Sequence, residues 1–90
     1  MTTTFVLHTV ADYDAWRRVY DSVAGLQARG GVTDQAVYQA ADNPNSVLVM
    51  HEFGSAEEAR SFFQNAELRE AMGEGGVDPS TFRLEFYERA

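Results

Sequence analysis

Two histidines and a tyrosine are the side chains of this sequence best suited to proton transfer. His8, Tyr38 and His51 each fall in a run of residues typical of a β-strand. A neutral imidazole in a cavity can take a proton from an acidic carbon, and a tyrosine hydroxyl can stabilise the enolate that forms. If the three side chains share one face of a sheet, they could support an aldol-type cyclisation or an oxygenation that needs no cofactor.

Two other interpretations of the histidines are open. Both could be hydrogen-bonded residues that fill the core, since a widely used fold does not determine function. Both could bind a metal, but two histidines without a well-placed third ligand do not make a stable site, so no metal is predicted. Glu52 and Glu85 also lie in strand-like runs, where we expect them to pair with Arg83 or to face a subunit interface.

Several well-known kinds of site are missing from the sequence. There is no cysteine, which excludes disulfides, thiolate nucleophiles and thiolate metal sites. No glycine-rich phosphate-binding motif occurs, and the glycine-rich segment Gly73–Gly76 contains the acidic Glu74, which would repel a phosphate. No serine, histidine and aspartate order typical of a hydrolase stands out. We therefore predict no cofactor.

The elements that must position these side chains alternate between strand and helix. The run Thr4–Val10 is β-branched and apolar, which predicts a central strand. A helix follows from an Asp12 cap to about Arg29–Gly30, with apolar residues at helical spacing and Gln27 outside that stripe. The alternating run Val32–Ala41 predicts the second strand.

The second half of the chain repeats this alternation. The run Ser46–Phe53 follows a dense turn signal and completes a hairpin. A capping box at Ser55–Glu58 opens a second helix, which either continues or restarts before the glycine-rich stretch Gly73–Pro79 ends it. The run Thr81–Glu88 alternates again and predicts the fourth strand.

The element order β-α-β-β-α-β predicts one α+β domain over residues 1–90, with a ferredoxin-like fold and a four-stranded antiparallel sheet. We expect Ala41 to lie beside Ser46 and Thr4 near Phe53. The face under the helices would then hold Val6, His8, Val10, Ala36, Tyr38, Ala40, Val47, Val49, His51 and Phe53. The other face would hold Phe5, Leu7, Thr9, Gln35, Val37, Gln39, Leu48, Met50 and Glu52.

The second face of the sheet needs a cover, because two helices can shield only one side. Its mixed polarity suits an interface better than solvent or a sealed core. A chain of ninety residues also buries only about 60–65% of its unfolded surface, so association would add to a thin core. We predict a homodimer that pairs through this face.

Three stretches of the chain resemble the dimeric α/β-barrel superfamily, which includes stress-responsive barrel proteins, antibiotic-biosynthesis monooxygenase-like domains and small polyketide cyclases. They are HTVADYDAW (His8–Trp16), the stretch Val47–Phe62 and NAELREAM (Asn65–Met72). The resemblance covers nearly the whole chain. It implies a barrel made by two copies paired sheet to sheet, with a cavity between sheet and helices for a small aromatic or polyketide-type compound.

Two functional hypotheses follow from this resemblance. The first is a cofactor-independent cyclase or monooxygenase in which His8 is the base and His51 and Tyr38 orient the substrate. The second is a non-catalytic ligand-binding or stress-related dimer. Haem-degrading relatives place an iron-binding histidine on a helix, whereas both histidines here lie on predicted strands, so haem is not expected. The expected pocket walls are Trp16, Tyr20, Val49, Phe62 and Phe63.

The charge of the chain limits its partners. A net charge of -7 and a pI near 4.5 oppose binding to nucleic acid or to an anionic membrane, both of which need clustered Lys and Arg. The N-terminus has no secretory signal pattern, and the apolar run after it is too short to cross a membrane. We expect a cytoplasmic protein.

Overall fold

The computed structural model of residues 1–90 has an antiparallel sheet of four strands with helices packed on one face. The strand order β2-β3-β1-β4 is that of a ferredoxin-like α+β fold, as predicted, and each predicted helix is divided into two. In chain order the elements are β1 (Thr2–Thr9), α1 (Tyr13–Ser22), α2 (Ala24–Arg29), β2 (Val32–Ala40), β3 (Asn43–Phe53), α3 (Ala56–Phe63), α4 (Ala66–Glu74), a 3₁₀ turn (Pro79–Thr81) and β4 (Arg83–Glu88).

The first predicted helix is interrupted at Val23, where φ and ψ are -100° and 18°. The Ser22 hydroxyl donates to the Val19 carbonyl at 2.6 Å, a bond that bends helices, and Gly25 is a weak helix former. Gln27 is buried, with only 5% of its surface exposed. It follows Val23 by four residues and Tyr20 by seven, spacings that place residues on one face of a helix, so the prediction that it lies outside the buried stripe was wrong.

The helix starts follow the predicted capping chemistry. The Asp12 carboxylate accepts from the Ala15 amide at 3.0 Å at the start of α1. The Ser55 hydroxyl accepts from the Glu58 amide at 3.2 Å at the start of α3. The second helix restarts at Asn65, whose side chain caps α4. None of the helices combines the length and the apolar character that a membrane span requires.

The β2-β3 hairpin closes differently from the prediction. Ala40 pairs with Asn43 across a short turn, and the next pair is Gln39 with Val47, so β3 is irregular at residues 44–46. The proline at position 44 has no amide hydrogen to offer a sheet, which favours an irregularity there. The rest of the hairpin is displaced by one residue from the predicted register.

This displacement moves the side chains of β2 to the face opposite the predicted one, because strand side chains alternate. His51 lies opposite Gln35, not opposite the predicted Ala36. Tyr38 lies opposite Leu48, on the face away from the helices, and is 56% exposed. The prediction that Ala36 and Tyr38 lie under the helices, and Gln35, Val37 and Gln39 on the other face, was therefore wrong.

The pairing of β1 with β3 is displaced by two residues from the predicted register. Val6 lies opposite Val49, and His8 lies opposite Val47. An even displacement keeps every side chain on its predicted face. His8 accordingly lies under the helices and is only 3% exposed.

Two clusters of buried apolar residues form the core under the helices. The first consists of Val6, Val10, Trp16, Val47 and Val49. The second consists of Leu26, Phe53, Ala59, Phe62 and Leu68. The strand residues of these clusters come from the two central strands β1 and β3, and Val10 follows directly after β1.

The face of the sheet away from the helices, called the open face below, carries several large apolar side chains. Leu7 is 40% exposed and Tyr87 is 50% exposed. The Tyr87 ring packs edge to face on Phe5 with 5.5 Å between the centroids. By strand pairing, the open face consists of Thr3, Phe5, Leu7, Thr9, Asp34, Ala36, Tyr38, Ser46, Leu48, Met50, Glu52, Arg83, Glu85 and Tyr87.

Candidate functional site

A cavity lies between the sheet and the helices, with walls drawn from both core clusters. Its volume is about 50 Å³, counted as the space open to the centre of a water molecule. Its lining contains no Asp, Glu, Lys or Arg, and most of it is apolar. The lining residues are Val6, His8, Trp16, Val19, Tyr20, Val23, Gln27, Val49, His51, Phe62, Phe63, Leu68, Ala71 and Met72.

The structure places most of the predicted site residues around this cavity. Both histidines line it, and so do the expected pocket walls Trp16, Tyr20, Val49, Phe62 and Phe63. Tyr38 does not, because its strand face is reversed. Gln27 also lines the cavity and was not predicted to, although its spacing from Tyr20 and Val23 places it on their face of the helix. The helical spacing of Leu68, Ala71 and Met72 was visible in the sequence, but nothing there showed which cavity they would line.

His8 is a buried imidazole with no hydrogen bond at either ring nitrogen. Trp16 and Phe82 flank its ring, with centroids 5.7 and 6.3 Å away. Burial lowers the pKa of His8 to about 4, so the ring is neutral at pH 7. A neutral imidazole has one lone pair and one N–H, and leaving each buried without a partner costs about 1–3 kcal/mol. Such a group in a native structure requires an explanation, and a ligand or bound water is one.

His51 is also buried, but one of its nitrogens has a partner. Its Nε2 lies 2.9 Å from the Tyr20 hydroxyl oxygen, whereas its Nδ1 has no partner. Burial lowers the pKa of His51 to about 4, so this ring is neutral as well. The rings of Phe62 and Phe63 pack around it, with centroids 5.7 and 6.4 Å away.

Tyr20 connects the cavity with its solvent edge. Its hydroxyl group contacts His51 and also donates to the Gln35 carboxamide oxygen. Burial raises the pKa of Tyr20 to about 12, so the hydroxyl keeps its proton at neutral pH. The ring stacks on Trp16 with 4.9 Å between centroids. Tyr20, rather than Tyr38, is thus the tyrosine that stands beside an imidazole.

The arrangement combines two neutral bases with an almost wholly apolar enclosure. No three His, Asp or Glu side chains approach closely enough to hold a metal ion. The volume is enough for a few water molecules, each of which needs roughly 10–15 Å³ on this measure. A bulkier organic ligand would need the helical layer to move outwards. What the site offers such a ligand is a largely apolar, aromatic surface with imidazole nitrogens that have no partner in the protein.

The fold is shared with solved structures over the full length of the chain. A candidate antibiotic biosynthesis monooxygenase from Bordetella bronchiseptica has a TM-score of 0.82 at 10% identity, covering 99% of this chain and 96% of that one. SnoaB, a cofactor-independent oxygenase from Streptomyces nogalater, has a TM-score of 0.79 at 16% identity, covering 99% and 93%. Rv0793 from Mycobacterium tuberculosis has a TM-score of 0.71 at 12% identity, covering 100% and 96%.

These similarities are structural only. No family model matches the sequence, and no curated protein does. At 10–16% identity the structural matches show a common fold, and a common fold leaves the chemistry to be argued from the site.

Proposed function

We propose that this protein is a cofactor-independent oxygenase or cyclase that acts on a small aromatic or polyketide-type compound, with His8 as the base. The observation that carries the proposal is the His8 ring, which is buried at the cavity wall with both nitrogens free of hydrogen bonds. The similarity in fold to SnoaB, described as a cofactor-independent oxygenase, adds support.

In the proposed reaction His8 removes a proton from an acidic carbon or hydroxyl group of the substrate. The enolate or phenolate that remains has two alternative fates. In the oxygenase it supplies the electrons that reduce dioxygen, so that one oxygen atom enters the substrate as a carbonyl and the other leaves as water. In the cyclase it attacks a carbonyl of the same molecule, and the alkoxide that forms takes the proton back from His8. A base with a pKa of about 4 accepts this proton only because the anion forms beside it. With no Lys or Arg in the lining, the protonated His8 ring is the nearest counter-charge, and its attraction is strong in a dry site.

His51 and Tyr20 orient the substrate in this proposal. The Nδ1 atom of His51 is available for a hydrogen bond with a substrate hydroxyl group, since it has no partner in the protein. The Tyr20 hydroxyl group fills the role predicted for Tyr38. The aromatic rings of Trp16 and Phe63 supply surfaces on which a planar substrate can stack.

We further propose that the protein works as a homodimer paired through the open face. Exposed large side chains such as Leu7 and Tyr87 are costly in water, and together with Phe5, Leu48 and Met50 they form one continuous patch by strand pairing. The rim of the same face carries Glu52, Arg83 and Glu85. An apolar centre with a charged rim is typical of a subunit interface.

The test of the catalytic proposal is the variant His8→Ala. Oxygen consumption and product formation are measured on a panel of small phenols and 1,3-diketones. We expect His8→Ala to lose turnover by at least about a hundredfold, the usual contribution of a general base, while sedimentation shows an unchanged assembly. Undiminished activity in His8→Ala would end the catalytic assignment.

A matched pair of tyrosine variants tests the site geometry in the same assay. Tyr20→Phe removes the hydroxyl group beside His51 and should reduce turnover. Tyr38→Phe removes a hydroxyl group on the open face and should leave turnover unchanged. The reverse pattern would favour the placement predicted from sequence over the one seen in the structure.

The alternative function is non-catalytic binding of a small ligand. The lining of the cavity favours it, since most of the wall is apolar and offers few groups that could take part in a reaction. Trp16 is the sole tryptophan of the chain and lines the cavity, so its fluorescence reports occupancy. Quenching by a panel compound without any conversion of that compound would support binding alone.

A further inference from the structure

We infer that Gln35 is a positioning residue that acts through Tyr20 to hold His51 as the Nε2–H tautomer, with the Nδ1 lone pair free inside the cavity. Its value for catalysis rests on the proposed function, but the tautomer itself does not. The inference comes from a hydrogen-bond network of three side chains, Gln35, Tyr20 and His51, which begins at the exposed edge strand β2 and ends at the cavity wall.

This hydrogen-bond network exists because of the register of the β2-β3 hairpin. Gln35 is the direct cross-strand partner of His51, and directly opposed residues point to the same side of a sheet. Both therefore project towards the helices, where Tyr20 of α1 lies between them. Gln35 is exposed to solvent, whereas His51, at the other end of the network, is only 4% exposed.

The proton positions follow from what each group can donate. The Gln35 carboxamide oxygen can only accept, so the Tyr20 hydroxyl group must donate its single proton to it. Tyr20 then has only a lone pair to offer His51, which means that His51 Nε2 must carry the hydrogen and donate it at 2.9 Å. A neutral imidazole has one hydrogen, so Nδ1 is left as a bare acceptor.

The hydrogen-bond network matters because of where the acceptor Nδ1 lies. Nδ1 of His51 is buried and has no partner in the protein, and His51 lines the cavity. In this tautomer the cavity contains a lone pair able to receive a proton or a hydroxyl group of a ligand. In the other tautomer it would contain a buried N–H at the same point, which would suit only an accepting ligand. The orientation of the exposed Gln35 amide thus decides whether His51 accepts a hydrogen bond from a ligand or donates one to it.

The experiment is nitrogen-15 NMR of histidine-labelled protein at pH 7, in which ring correlations show which nitrogen carries the hydrogen. We expect His51 to be the Nε2–H tautomer by on the order of tenfold, the population ratio that one net hydrogen bond supports. Observing mainly the Nδ1–H form in the parent protein would overturn the inference. His8 has no hydrogen-bond partner and serves as an internal reference in the same spectrum.

Two substitutions of the exposed Gln35 separate its hydrogen-bonding role from its bulk. Gln35→Glu keeps an acceptor and should preserve the parent tautomer. Gln35→Lys offers only donors, so Tyr20 must turn its proton to His51, and the ring should shift towards Nδ1–H. The control Gln39→Lys changes an exposed residue of the same strand, whose amide donates to the Pro44 carbonyl at 3.2 Å, and should leave His51 unchanged. If Gln35→Lys keeps the parent tautomer, Gln35 does not set it.

Activity measurements distinguish this inference from the proposed function. If the tautomer behaves as described and no turnover is found in the parent protein, the proposed function fails and the inference stands. If turnover is found, Gln35→Lys should lower it and Gln35→Glu should retain it. An inverted tautomer with unchanged turnover would show that His51 does not take part in the reaction.

Discussion

Mild acid should destabilise this protein through its two buried histidines. Burial lowers the pKa of His8 and of His51 from 6.5 to about 4. In the unfolded chain each imidazole binds a proton below pH 6.5, whereas in the folded protein it stays neutral down to about pH 4. The unfolded state therefore binds more protons between these two values, and the free energy of unfolding falls as the pH falls through this window. Below pH 4 the effect of each histidine is complete.

The size of the effect follows from the same numbers. A pH of 5 lies 1.5 units below the pKa of the unfolded imidazole and about one unit above the pKa of the folded one. At 1.36 kcal/mol per unit, each histidine then destabilises the fold by about 2 kcal/mol relative to high pH. The pair together gives about 4 kcal/mol, a large part of the 5–15 kcal/mol stability of a typical domain.

The assay is urea unfolding at one fixed protein concentration, at half-unit steps from pH 7.5 to pH 4.5. With a slope of about 1 kcal/mol per molar urea, the midpoint should fall by about 2 M for each histidine between pH 7 and pH 5. His8→Leu should remove its own share of this dependence, whatever it does to stability at pH 7. A profile for His8→Leu parallel to that of the parent would refute the argument, because it would mean that folding does not change the affinity of His8 for protons.

Two further predictions concern the assembly and the backbone. Leu7→Glu places a charge at the exposed centre of the open face, and sedimentation at micromolar concentration should show a dimer for the parent and a monomer for the variant; a monomeric parent would refute the proposed pairing. Gly31 has φ of 93°, a backbone conformation that residues with a Cβ rarely adopt, so Gly31→Ala should destabilise the fold by about 1–3 kcal/mol even if the exposed Glu58 side chain moves away from the new Cβ. Gly73→Ala is its control, since no atom lies within 4 Å of the added methyl group in α4, and it should be neutral or slightly stabilising in the same thermal unfolding experiment.

The sequence was sufficient for the element order and for most of the cavity wall, because both depend on apolar spacing. Trp16 and Tyr20 repeat at helical spacing, and any helix that covers the sheet brings them inwards. His8 stayed on its predicted face because the register error there was two residues, and strand faces repeat every two. These features tolerate errors in exact position.

Features that change when a strand shifts by a single residue of register could not be predicted from apolar spacing. The irregularity at residues 44–46 of β3 exchanged Tyr38 for Gln35 as a neighbour of the site, and no pattern in the hairpin sequence fixes its position. The burial of Gln27 was missed for another reason, because this polar residue was assigned to the exposed side although its helical spacing places it on the buried one. The Tyr20 to His51 contact needed no such correction, since both residues lie on the faces predicted for them.

The lack of any charged group in the cavity lining has a consequence for uptake. Transfer of a molecule from water into such a site resembles its partition between water and an organic solvent. Each additional methylene group that the walls can enclose should then strengthen binding by about 0.8 kcal/mol, or roughly fourfold, until the available space is exhausted. Because no fixed charge draws the ligand in, added salt should leave its affinity almost unchanged. Hydrophobicity and shape, rather than ionic attraction, would then determine which ligands bind.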